Sequence, residues 1–166
     1  MKAQIQDIKR ALSAKAYLSA FALALTIPDA CGLEMELLAG KSYSEVKNKS
    51  RKRYIAWYKK YLSDLNKSFL PAKQCYKLRC SYLHESKWKL KKINLCHMTT
   101  GAWITLHEYT QSGIVANGDK VTLKTEISLD IDIPQFCNVM CAAAEKFCAD
   151  NADKTSFPFL QVINYE

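Results

Sequence analysis

Apolar residues recur at helical spacing from the start of the chain. Ile5, Ile8 and Leu12 fall three and four residues apart, and the pattern continues through Tyr17, Phe21 and Leu25. This predicts one long helix, or two short ones joined near residues 13–15. Pro28 is expected to kink or stop it, and Gly32 to end the following turn. The next stretch, residues 42–65, carries Tyr54, Trp57, Tyr58, Tyr61, Leu62 and Leu65 at i, i+3, i+4, i+7, i+8 and i+11. That spacing predicts an amphipathic helix with Lys47, Lys52, Lys59 and Lys60 on its solvent side. Pro71 then opens a helix that ends around residues 84–86.

After Trp88 the period changes. Val121, Leu123, Thr125, Ile127, Leu129 and Ile131 alternate with Thr122, Lys124, Glu126, Ser128 and Asp130, the mark of a half-buried strand. Asn117-Gly118 just before it signals a hairpin, with partners expected in residues 93–96 and 103–109. Asp132 caps and Pro134 starts a closing helix to about Asp150, and residues 151–166 form a tail that is extended and apolar over 155–166. The expected fold is one α+β domain: a helical bundle over 1–86, a small antiparallel sheet over 88–131, then a closing helix over 132–150. At 166 residues the chain suits one core rather than two.

Charge sharpens this picture. The net charge is +8, and residues 41–92 hold 16 Lys or Arg against Glu45, Asp64 and Glu85. A field so one-sided attracts polyanions, of which nucleic acid is the commonest; a solvated lysine-rich face is the plainer reading. Because the aromatic stripe of residues 54–62 must face the core, Lys49, Arg51, Lys52 and Arg53 are the expected phosphate contacts. Seven cysteines cannot all pair, and their helical apolar positions point to free, buried thiols in a reducing compartment. Cys137, Cys141 and Cys148 share a face of the last helix, interleaved with Phe136, Met140, Ala144 and Phe147 as a core stripe is, rather than as zinc ligands are. Cys96-His97 offers only one adjacent pair, and His107-Glu108 reads as a surface pair. No cofactor signature is present, and five glycines leave little room for a phosphate-binding loop. The longest apolar run, residues 16–27, is shorter than the ~20 residues a bilayer needs. Asp7 and Asp29 argue against a secretion signal, so a buried core helix and a cytoplasmic home are expected.

Within the basic third, residues 76–85 carry the candidate chemistry. On a helix, Cys75, Tyr76, Leu78, Tyr82 and Leu83 share one arc and Arg79 points into its middle. Lys73, Lys77, Ser81 and His84 lie opposite. A guanidinium on an apolar face stays charged and needs an anionic partner. One candidate is Asp29, a carboxylate set between apolar segments, which would make a buried ion pair and leave His84 to satisfy carbonyls at the helix end.

The other candidate partner is a substrate phosphate. Arg79-Cys80-Ser81-Tyr82-Leu83-His84 resembles the signature of the HEPN superfamily, an Arg, four to six residues, then a His on a helical bundle. Many such domains are metal-independent ribonucleases of defence and toxin systems. The resemblance implies that Arg79 binds and charge-stabilises the scissile phosphate. His84 then acts as general acid or base while the 2′-hydroxyl attacks. The two roles suit the side chains, since guanidinium matches phosphate oxygens and imidazole titrates near neutrality. Cys80 departs from the family, whose active members often place a polar residue there. Five residues separate Arg79 and His84 by about 140° and ~7.5 Å on an ideal helix. The family's arrangement of two motif helices around a shared cleft would then make this protein a homodimer. The function expected is action on RNA; the alternative is a non-catalytic module binding nucleic acid or a protein partner, with Arg79 structural. Neither requires a cofactor, a metal or a membrane.

Overall fold

A computed structural model describes residues 1–63, 70–84, 93–96, 104–113 and 122–152, and these are mostly helical. Six helices are described: α1 (Lys2–Ser13), α2 (Tyr17–Leu38), α3 (Tyr43–Val46), α4 (Ser50–Tyr61), α5 (Ala72–His84) and α6 (Ile133–Asp150). Helix α2 is apolar on nearly every side, and such a helix is stable only when surrounded. It is the hub, packed by α1, α3, α4, α5 and α6. Phe21, Leu25 and Ile27 of α2 are fully buried with Ile8, Trp57, Tyr58, Leu78, Phe136 and Phe147 from its neighbours. At 22 residues α2 is long and apolar enough to cross a membrane, unlike the shorter run taken from the sequence, and about half of it is buried within the bundle.

The joints follow from local chemistry. Helix α1 ends in a Schellman motif: the Ala16 N–H donates to the Ala11 carbonyl at 2.8 Å and the Lys15 N–H to that of Leu12 at 3.0 Å, with Lys15 in the left-handed region at φ 58°. This settles residues 1–25 as two helices. Helix α2 ends in the same motif with Gly40 at φ 83°, its N–H donating to Leu37 and that of Lys41 to Glu36. The helix runs through both to Leu38, so Pro28 does not stop it and Gly32 does not end the turn expected there. Both are buried inside it, where packing on all sides outweighs the lost backbone bond and the propensity cost. Gly32 also marks a close crossing, since a Cβ there would meet the Arg53 carbonyl oxygen at 2.7 Å.

The expected helix over 42–65 is two. Ser42 caps α3 through its backbone N–H, which donates to Glu45 at 2.8 Å, and the chain turns at residues 47–49 before α4 begins. The stripe missed this break because Tyr54, Trp57 and Tyr58 all lie on α4. Asp132 caps α6 as expected, accepting from the Gln135 N–H at 2.9 Å, with Pro134 in the first turn.

Between these helices run β1 (Ile93–Cys96), β2 (Ile104–Gly113) and β3 (Thr122–Asp132). Their backbones pair in the order β1-β3-β2, with β2 antiparallel and β1 parallel to β3. The wholly antiparallel sheet of the sequence reading is therefore not shown. A parallel pair arises because β1 and β3 are not consecutive, so the chain returns to β3 in the same direction as β1. Asn117-Gly118, His97, Trp88, Leu65 and the tail over 155–166 lie outside the described residues, as do the side chains of Cys96, His107 and Glu108.

Candidate functional site

Asp29 sits one residue after Pro28 on the middle of α2, where α4 and α5 both approach. Arg79, on the third turn of α5, brings its Nε to 2.8 Å from Asp29 Oδ2. The side chains are 19% and 16% exposed, so the pair lies near the wall of the bundle without being sealed. The contact is out of line for a hydrogen bond, leaving Arg79 Nε and both Asp29 oxygens buried without an aligned partner. Burial pushes the Asp29 carboxyl up, with Arg79 and then Arg53 pulling it partly back. Burial is also the largest influence on Arg79 and lowers it, but Asp29, with Cys80 and Tyr76 adding to it, outweighs that and holds the guanidinium above its ordinary value.

His84 is the final residue of α5 and is exposed. Its Nε2 lies 2.7 Å from Arg79 Nη1. Guanidinium has no acceptor atom, so Nε2 accepts and the neutral ring carries its proton at Nδ1. The side chains thus meet on one chain, which the angular argument from an ideal helix did not foresee; the length of the arginine bridges the angle. Asp29, Arg79 and His84 form a connected set, acid to guanidinium to imidazole, running from the bundle interior to its surface.

The four expected phosphate contacts separate into two groups. Lys49, Arg51 and Lys52 are exposed, and all three line a shallow, open groove with Ser50, Lys73 and Tyr76. Arg53 lies elsewhere. Its Nη1 donates to the carbonyls of Val46 at 2.8 Å and Lys47 at 3.4 Å, closing the turn between α3 and α4, while its Nε is buried. Position 53 precedes Trp57 by one turn and so falls on the inward side of α4. Arg53 is there a second cation acting on Asp29. Lys73 and Tyr76 were not singled out from the sequence as contacts. Only the excess of cations along α5 could have drawn attention to them.

Five of the cysteines are held as thiols. Burial pushes Cys75 and Cys137 up to about 12 and Cys141 to about 11, and raises Cys31 and Cys148 as well. Cys75 Sγ also lies 3.2 Å from the Tyr54 hydroxyl within the core. Among the described residues no three His, Cys, Asp or Glu side chains are grouped so as to hold a metal ion. Set against known proteins, the chain matches no family model, no curated protein and no solved structure.

Proposed function

We propose that this chain is a HEPN-like α+β protein that acts on RNA, with Arg79 and His84 at its centre and an antiparallel strand pair beside the helical bundle. The observation that carries the reading is the 2.7 Å approach of His84 Nε2 to the Arg79 guanidinium at the rim of the bundle. A phosphate entering there takes the Arg79 donors that Asp29 and His84 leave open. Its two non-bridging oxygens, which share one negative charge, compete with the imidazole for Nη1 and free the Nε2 lone pair. That nitrogen then takes the proton of the adjacent 2′-hydroxyl as the 2′-oxygen bonds to phosphorus. The P–O bond to the 5′-oxygen breaks, and this oxygen takes a proton from water as it leaves, giving a 2′,3′-cyclic phosphate and a 5′-hydroxyl. Asp29 fixes the guanidinium from behind. The reading places the protein in the cytoplasm as a homodimer with two such centres facing one cleft, and needs no cofactor.

The test is cleavage of single-stranded RNA by the purified protein in chelator. Cleavage is expected, and His84→Ala should abolish it while moving the melting temperature by no more than about a degree, as an exposed side chain predicts. A wild-type protein that leaves RNA intact sinks the catalytic reading. The second reading, a non-catalytic module for nucleic acid or a protein partner, is favoured by the 2.8 Å pairing of Arg79 with Asp29. In that case Arg79→Ala lowers stability and His84→Ala changes nothing measurable.

A further inference from the structure

The groove between the start of α4 and the first two turns of α5 stands apart from the rest of the surface. Three cations elsewhere on the bundle sit against acids: Lys9 with Glu145, Arg10 with Asp7 and Lys41 with Glu36. Lys49, Arg51, Lys52 and Lys73 converge from two helices on one groove whose lining holds no carboxylate. Among the described residues none of the four makes an ion pair, although Lys49 lies near enough to Glu45 to pull that carboxyl down a little.

Their placement also works against folding. The first turn of α4 carries Arg51, Lys52 and Arg53 with no acid and no side-chain cap. Cations there face the positive end of the helix dipole, where an anion is preferred. Ile55 and Tyr76, both half-buried, form an apolar strip between the charges, and the Tyr76 hydroxyl lies 3.3 Å from Ser50 Oγ. Lysines meant only to keep a surface wet need no such strip. Phosphates at intervals along a chain whose bases can splay out would use both parts. A duplex keeps its bases stacked inside and would leave the strip uncovered.

We propose that this groove is a track for single-stranded nucleic acid, with Lys49, Arg51, Lys52 and Lys73 on phosphates and one base lying against Ile55 and Tyr76. Choosing RNA over DNA rests on the function proposed above; the groove itself does not. Tyr76 joins the track to the candidate centre, since it lies on α5 three residues before Arg79.

Binding is measured by fluorescence anisotropy with a short 2′-O-methyl oligouridine, which cannot be cleaved, and with an RNA duplex of equal length. The single strand is expected to bind more tightly than the duplex at low salt. Arg51→Glu with Lys73→Glu should weaken it by about tenfold or more, and the slope of log affinity against log salt should fall by roughly 1.4, two contacts at ~0.7 each. The control is Lys59→Glu with Lys60→Glu, an equal change of charge at the far end of α4, which should leave affinity within about twofold. Equal loss in both double variants, equal or tighter duplex binding, or no binding at all overturns the proposal. Oligonucleotide binding without RNA cleavage sinks only the catalytic reading, and cleavage without oligonucleotide binding sinks only the track.

Discussion

At the scale of single residues, Asp29 and Lys15 each hold a position that costs free energy. Asp29 has its carboxyl pushed up by burial, with Arg79 and Arg53 compensating in part. The folded protein then holds a proton at Asp29 more readily than the unfolded chain. Its contribution to stability is greatest in acid and declines as pH rises from the ordinary carboxylate range through the raised value. The margin of the wild type over Asp29→Asn should therefore widen on acidification from about pH 7 to pH 4 in urea titrations. A margin that narrows instead would mean the guanidinium dominates over burial. In the same titrations Arg79→Ala should cost about 3 kcal/mol at neutral pH by leaving a carboxylate without its nearest cation. Lys15 is strained in a different way. Gly40 fills the same left-handed position without a Cβ, so Lys15→Gly should raise stability by roughly 1 kcal/mol, seen as a higher melting temperature.

Among the elements, the crossing of α2 and α4 is the most sensitive. Gly32→Ala sets a methyl group 2.7 Å from the Arg53 carbonyl oxygen, which belongs to helix backbone and cannot swing aside. It should cost about 1–3 kcal/mol in chemical denaturation and shift Arg53 away from Asp29. Some elements were legible in the sequence because their signals are local. Asp132 with Pro134 marks a helix start anywhere, and the stripe from Tyr54 to Tyr61 marks a face. The break at residues 47–49 was announced only by Ser42 with Glu45 three residues on, a capping pair overshadowed by the aromatic period. The continuation of α2 past Pro28 was not legible because it depends on surroundings: α2 is held by five neighbours, and no local rule sees them. In the candidate site, Arg79 on an apolar arc was a sound warning of an anion nearby. The meeting of Arg79 with His84 was not, because backbone angles say nothing of how far a long side chain reaches.

For the molecule as a whole, the charges divide by depth. The inner cations, Arg53 and Arg79, converge on Asp29, while Lys49, Arg51, Lys52 and Lys73 ring a groove open to solvent. Arg79 ties α5 to α2 through Asp29 and Arg53 closes the turn before α4, while the second set leaves a surface in want of anions, so one basic sequence region serves two ends. The central place of α2 has a further consequence for biosynthesis. Phe136 and Phe147 of α6 belong to the core around α2, yet α6 is completed about a hundred residues after α2. At ribosomal speeds that interval lasts on the order of 5 to 20 s. For that time the greasiest helix of the nascent chain lacks its last cover and has only the earlier helices to shelter it until the closing segment emerges.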